Sequence, residues 1–319
     1  MGKQKILKIL QEKKSFLVTA HVNPDPDALC SQLAIALYLK SLGKKVFAIC
    51  DEAVPQRFNF IPAIKEIQSL EQCPDPDFEV AVILDCGDLE RIGAVSKLIK
   101  AETLVVNIDH HITNTAFADV NWNIPGASST AEVIYDLLCS AKFSFTKEMA
   151  ILLYLGIMTD TGSFRYDNAS ARTHRIVSDL MEFDFSVSEL YRKLYEAVPL
   201  NDLKYFTQVV SKFEALYNGR VVCLELSKSV VKKFSEEFDL RDKIFQYLRT
   251  IKSVEVLVIL TEQDKKRTRI NLRSQGSVDV ARIAAEFDGG GHYKASGCII
   301  DEGMKVAKRK ILAQIRKAL

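Results

Sequence analysis

The chain has 319 residues, 48% of them hydrophobic and 26% charged, with a formal net charge of +2. That length allows two domains with separate cores. The longest apolar runs, such as Val80 to Leu84 and Val254 to Leu260, are strand-sized and far short of the ~20 residues of a membrane helix, so no membrane association is expected.

The charge is unevenly spread. Residues 1–206 carry 21 basic and 27 acidic side chains, a net of −6, while residues 207–319 carry 22 and 14, a net of +8. An acidic first part can gather cations, and a basic second part can grip an anion. The seven cysteines are scattered and never spaced CxxC, which argues against a disulfide framework or zinc knuckle and for a reducing cytosol. The N-terminal stretch MGKQKILKILQEKKS reads as an amphipathic helix without a signal-peptide apolar region. A cytoplasmic location is expected.

In chain order, Phe16 to His21 reads as a strand and Ala28 to Leu42 as a helix ending at Gly43. Between them, HVNPDPDA reads as an extended, stiff loop, because Pro24 and Pro26 disfavour a helix. Lys45 to Cys50, Val80 to Asp85 and Leu104 to Ile108 read as strands. Ser129 to Ala141 and Lys147 to Asp160 read as helices, with Ser128, Ser129 and Thr130 offering capping hydroxyls. Apolar strands alternating with helices predict an α/β domain: a parallel sheet with helices on both faces. This domain is placed at residues 1–185. A helical linker, interrupted by Pro199, is placed at 186–210. Its apolar positions leave a homodimer seam open.

Residues 211–319 then read as a smaller α+β domain. Gly219 to Leu226 is a strand and Lys228 to Tyr247 a charged helix. Val254 to Thr261 and Thr268 to Ser274 are strands around a polar turn. Asp279 to Phe287 is a helix stopped by Gly289, Gly290 and Gly291, followed by a strand at Ala295 to Ile300 and a basic helix from Lys305.

Polar residues cluster where the first domain's elements end. His21, Asp25 and Asp27 follow the first strand, Asp85 ends VAVILD, Asp109, His110 and His111 follow VVNI, and Asp160 ends YLGIMTD. Ligands of open α/β sheets bind at the carboxyl ends of strands, so these groups can meet in one cleft. Asp25, Asp27, Asp85 and Asp160 together repel one another unless cations neutralise them. Two divalent ions balance four carboxylates. Mixed carboxylate and imidazole donors suit Mn²⁺, with Mg²⁺, Co²⁺ or Fe²⁺ as alternatives. In the second domain, Arg273 with Ser274, the glycines 289–291 and His292 offer an anion grip.

The ordered set AHVNPDPDA, ILDCGD, NIDHH and GIMTDTGSF resembles the DHH phosphoesterase family, and NLRSQGSVDVARIAAEFDGGGHYKASG resembles its DHH-associated C-terminal domain. The compact length is most similar to the bacterial nanoRNase group of that family. The resemblance implies one metal held by His21, Asp25 and Asp85, and a second by Asp27, Asp85, His110 and Asp160. It implies Asp109 as the residue that orients a ligand histidine, and His111 facing the substrate phosphate. It also implies a second domain in which Arg273, Ser274, Gly289, Gly290, Gly291 and His292 hold the nucleotide. Cys30 stands where many relatives have Gly, and a thiol beside the metals is expected to make the site sensitive to oxidation or zinc.

The activity so implied is metal-dependent hydrolysis of short oligoribonucleotides to mononucleotides and of adenosine 3′,5′-bisphosphate to AMP. Two metals sharing a water can deliver hydroxide near neutral pH. The alternative is hydrolysis of cyclic or linear dinucleotides. A RecJ-like exonuclease needs more nucleic-acid-binding surface, an inorganic pyrophosphatase a different C-terminal half, and a non-catalytic nucleotide-binding regulator a missing ligand.

Overall fold

A computed structural model describes residues 2–235 and 237–319 and, within them, every side chain but that of His292. The chain divides into two compact units, Met1–Glu196 and Ala197–Leu319.

The N-terminal unit runs α1 (Gly2–Glu12), β1 (Ser15–Thr19), α2 (Pro26–Ser41), β2 (Lys45–Cys50), β3 (Ile67–Ser69), β4 (Val80–Leu84), β5 (Leu104–Asp109), β6 (Val120–Asn123), α3 (Thr130–Ser140), α4 (Lys147–Asp160), α5 (Ala171–Met181) and α6 (Val187–Tyr191). Its six strands form one parallel sheet in the order β3-β2-β1-β4-β5-β6. Strand alternation divides the buried side chains between two faces. Phe16, Val18, Val80, Val82 and Leu84 join the core beneath α2, α3 and α4. Leu17, Ile49, Ala81 and Ile83 face the other way, against Ile92 and Val95 of short 3₁₀ turns between Leu89 and Leu98. β1 and β4 are neighbours whose chains leave the sheet in opposite directions, so the topological switch point lies between their carboxyl ends.

HVNPDPDA is not an extended loop throughout. Pro26 is the first residue of α2, and Asp25 is its N-cap, accepting from the Ala28 amide at 3.0 Å. Proline suits this position because the first helical amide has no partner to lose. The edge strands β3 and β6 are additions to the sequence reading. They are three and four residues long, too short to produce a recognisable apolar run.

The C-terminal unit runs α7 (Leu200–Val210), β7 (Glu214–Leu216), β8 (Val221–Leu226), α8 (Lys228–Val231), α9 (Leu240–Leu248), β9 (Val256–Asp264), β10 (Arg267–Ser274), α10 (Val280–Ala285), β11 (Gly290–His292), β12 (Ala295–Ile300) and α11 (Met304–Ala318). Its sheet order is β11-β12-β10-β9-β8-β7, antiparallel except for the β8–β9 pair. Val256, Val258, Leu260, Ile270 and Leu272 pack with α10 and α11 on one face. Leu257 and Ile259 pack with α7 and α9 on the other.

Two expectations change here. The charged helix read over Lys228 to Tyr247 is two helices, because the Asp239 side chain accepts from the Asp242 amide and starts α9 afresh. Capping of this kind competes with helix continuation. The glycine run is not simply a loop that stops a helix. Gly290 and Gly291 belong to β11, paired with β12. Gly291 has φ 136°, and a Cβ on Gly289 would meet Cys298 Cβ at 2.4 Å.

Gln32 ties helix to sheet. It is fully buried in α2, and its Nε2 donates to the carbonyls of Val18 at 2.8 Å and Ile49 at 3.1 Å. The Cys50 thiol donates to its Oε1 at 3.2 Å. Gln32→Leu keeps the volume but strands these groups, so stability is expected to fall by about 1–3 kcal/mol. The check is the urea unfolding midpoint, and an unshifted midpoint would show that the bonds contribute nothing net.

Candidate metal centre

The groups that the sequence places at element ends converge at the switch point. His21 and Asp25 follow β1, Asp85 follows β4, and His110 follows β5. Asp27 comes from the first turn of α2, and Asp160 is the last residue of α4. Three sets, His21–Asp25–Asp85, Asp27–His110–Asp160 and Asp85–His110–His111, each offer ligand atoms within 4.8 Å of one another.

Asp85 divides its oxygens between the sides. Oδ2 lies 3.5 Å from His21 Nε2, and Oδ1 lies 3.5 Å from His110 Nε2. His110 Nε2 also lies 3.1 Å from Asp160 Oδ2, and His21 Nε2 is 4.0 Å from Asp25 Oδ2. Both imidazoles are oriented from behind. His21 Nδ1 donates to the Val22 carbonyl at 2.9 Å, and His110 Nδ1 faces the Ala127 carbonyl at 3.4 Å. That arrangement leaves the Nε2 lone pair for a cation, as metal-ligating histidines require.

Charge gives the same answer. Burial opposes protonation of His21, but its hydrogen bond to the Asp85 carboxylate and the charge of Asp25 more than offset it and push it up to about 9. Burial likewise opposes a charged His110, and Asp160, Asp85 and Asp27 together push it up to about 10. Asp27 rises well above the usual carboxylate range, first from burial and then from the charges of Asp85 and Asp160. Burial also opposes ionisation of Asp85, yet His21, His110 and His111 hold it well below that range. The acidic excess holds protons tightly, and divalent cations can take their place. The donor set fits such ions.

The catalytic candidates are tied together. His111 Nδ1 donates to Asp109 Oδ1 at 2.6 Å. The orienting carboxylate therefore pairs with His111, which belongs to one of the three ligand sets, while His110 is held by the Ala127 carbonyl. Asp109 is fully buried and also accepts from Asn114 Nδ2 at 2.6 Å. Asn123 Nδ2 donates to the His111 carbonyl at 2.8 Å.

The sequence reading missed what holds Asp27 and Asp85. The amides of Thr130 and Ala131, opening α3, donate to the two Asp27 oxygens at 2.8 and 3.0 Å. The Thr130 hydroxyl donates to Asp85 Oδ1 at 2.9 Å, while Ser129 supplies the N-cap. Asp85 itself has φ 57°, a left-handed conformation costly for a non-glycine residue and typical of functional sites. Cys30 does not reach the centre: it is fully buried in the helical core, and burial, followed by the charges of Asp27 and Asp25, pushes its thiol well up. Such a thiol is inert.

In the C-terminal unit, Arg273 and Ser274 point to opposite faces of β10. The Ser274 hydroxyl is buried and donates to the Gly276 carbonyl at 3.4 Å, so it does not share a ligand face with Arg273. The guanidinium of Arg273 lies 4.7 Å from the Phe245 ring centroid. Gly290 is exposed, with open space above it. The side chain of His292 lies outside the described residues.

The model of the DHH family, N-terminal domain, matches residues 15–157, and that of the DHHA1 domain matches residues 227–319. The chain carries a DHH-family N-terminal domain and a DHHA1 domain. Two proteins named "Bifunctional oligoribonuclease and PAP phosphatase NrnA" are similar to it along most of its length. The Thermus thermophilus protein is 29% identical over 95% of this chain and 89% of its own. The Bacillus subtilis protein is 27% identical over 93% of each. The crystal structure of an exopolyphosphatase-related protein from Bacteroides fragilis superposes with a TM-score of 0.91 at 28% identity, covering 99% of this chain and 96% of that one.

Gly156 of α4 provides a test of the centre's support. A Cβ there would meet Asp27 Oδ1 at 2.5 Å and Ala131 Cβ at 2.6 Å. Gly156→Ala is expected to cost about 1–3 kcal/mol of stability through overpacking and to weaken divalent-metal binding about 10–100-fold through displacement of Asp27. Calorimetric titration with Mn²⁺ checks the second effect. Unchanged affinity in a folded variant would mean that Asp27 has slack or binds no ion.

Proposed function

We propose that the chain is a metal-dependent phosphodiesterase and phosphatase. Its substrates in this reading are short oligoribonucleotides, cut to mononucleotides, and adenosine 3′,5′-bisphosphate, cut to AMP. The observation that carries the reading is the pair of ligand sets sharing Asp85 at the switch point of the sheet. The names of the relatives that align along nearly the whole chain favour these substrates.

His21, Asp25 and Asp85 would hold one divalent cation, and Asp27, Asp85, His110 and Asp160 a second. Manganese suits mixed carboxylate and imidazole donors best. Bound cations supply Lewis-acid charge to phosphoryl oxygens and make water acidic enough to act near neutral pH. The chain's own residues do the rest. Asp109 fixes one imidazole nitrogen of His111, which sets the ring to meet a phosphoryl or leaving oxygen. Thr130 fixes Asp85 between the two sets. The C-terminal unit would grip the nucleotide with Arg273, the glycines 289–291 and His292. The free cysteines support a cytoplasmic setting.

The test is release of mononucleotide or phosphate with Mn²⁺ from di- to decaribonucleotides, adenosine 3′,5′-bisphosphate and pApA. Wild type is expected to consume the short RNAs and the bisphosphate, and Asp85→Asn to lose at least about 10²–10³-fold in rate. Hydrolysis that survives the substitution would remove Asp85 from the mechanism. Consumption of pApA alone would move the activity to dinucleotide breakdown.

A further inference from the structure

Strand alternation sorts β10 into two rows. Thr268, Ile270, Leu272 and Ser274 are buried on one face, and Arg269, Asn271 and Arg273 lie half-buried on the other. We propose that Arg269, Arg241 and Thr261 form a second phosphate subsite on the C-terminal unit, beside Arg273, and that it takes an internucleotide phosphate of a short oligoribonucleotide. The oligoribonucleotide rests on the function proposed above. The anion subsite itself rests on the geometry of this one unit.

Thr261 of β9 lies directly opposite Arg269 in the antiparallel register, so the two side chains share a face. Thr261 is 6% exposed, yet its hydroxyl has no hydrogen-bond partner. Buried hydroxyls are almost always bonded, and this one belongs to a side chain on the arginine face. The Asn271 Oδ1 on the same face is also buried without a partner. Arg241 opens α9, one turn before Phe245, and therefore lies on the same side of that helix. Phe245 meets Arg273, while the charge of Arg241 acts on Arg269.

The pair carries like charge. Among the described residues no carboxylate forms an ion pair with Arg269 or Arg241. Burial, and then the positive charge of Arg241, hold the Arg269 guanidinium below its ordinary value. Arginine stays protonated despite such a shift, so an anion relieves the repulsion where proton loss cannot. A phosphate oxygen can also accept from the Thr261 hydroxyl.

The spacing favours a phosphodiester chain over a compact polyphosphate. Arg269 and Arg273 are four residues apart on one strand, about 14 Å between Cα atoms, so each can take a separate phosphate. The row between them is uncharged and low: Asn271, then Gly297 opposite it on β12, then Gly290 opposite Gly297 on β11. No atom lies within 4 Å of a Cβ placed on Gly290. Nucleotide atoms between two phosphates can lie on that floor.

Binding of a fluorescein-labelled pentaribonucleotide to the full chain in EDTA, followed by anisotropy over a salt series, tests the subsite without relying on hydrolysis. Arg269→Gln and Arg241→Gln are each expected to weaken binding about 5–10-fold and to lower the log–log salt slope by about 0.7, the value for one single-strand phosphate contact. Arg269→Lys should retain the slope. Adenosine 3′,5′-bisphosphate, competing at Arg273, should displace the label with the same affinity from wild type and Arg269→Gln. Unchanged slopes in both glutamine variants would overturn the subsite. So would an equal loss from Lys266→Gln in the exposed β9–β10 turn, because the effect would then be diffuse charge. If the chain binds with the arginine-dependent slope but hydrolyses no RNA with Mn²⁺, the proposed function fails and the subsite stands. If it hydrolyses RNA and the slopes do not change, the reverse holds.

Discussion

The carboxylate of Asp27 constrains how the N-terminal unit can be assembled. It sits fully buried in the first turn of α2, where burial and neighbouring acidic groups disfavour its charge. The two amides that open α3 accept the task of satisfying both oxygens. Helix N-termini are suited to this, since their first amides lack partners and carry partial positive charge. The register of α3 against α2 is therefore set by one side chain. α4 must then approach the same point so closely that only glycine fits at position 156, and this approach brings Asp160, at the end of α4, to His110.

Asp85 carries the complementary burden. It sits between the two ligand sets and faces three imidazoles, and its backbone adopts a left-handed conformation at the end of β4. Strain of this sort persists only where surrounding contacts over-determine it. Here they do: the Asp85 amide donates to the Ile108 carbonyl at 3.1 Å, and Thr130 donates to its side chain. Asn107 adds support by donating to the carbonyls of Ile83 and Cys86, both at 3.2 Å. The centre is a property of the loops after β1, β4 and β5 together with two helix ends.

Residues that would touch an ion were legible in the sequence because carboxylate and imidazole side chains stood at the ends of apolar runs, and such runs mark buried parallel strands. The residues that hold them were not. Thr130 reads as one more capping hydroxyl beside Ser128 and Ser129, and only the three-dimensional approach of β4 distinguishes it. Nothing in the apolar helix pattern of Lys147 to Asp160 marks Gly156, whose role follows only from the approach of Asp27. Pairing of Asp109 with His111, not His110, depends on how the chain turns at the end of β5, which periodicity does not encode. The DPD segment failed for a simpler reason. Proline disfavours a helix interior, but at the first helical position, as Pro26 in α2, it is a helix starter.

In the C-terminal unit the strand period decides more than motif adjacency does. Arg273 and Ser274 are neighbours in the sequence, which suggests one grip, but a period of two sends them to opposite sides of β10. The residues that share a face with Arg273 are Asn271 and Arg269, two and four positions back. This row is the local form of the basic excess that the composition assigns to the second half of the chain. The two units therefore carry the same electrostatic constraint with opposite sign. Carboxylates crowded around Asp85 need cations to coexist. In the proposed subsite an anion would offset the like charges of Arg241 on α9 and Arg269 on β10 and take the unbonded hydroxyl of Thr261 opposite Arg269.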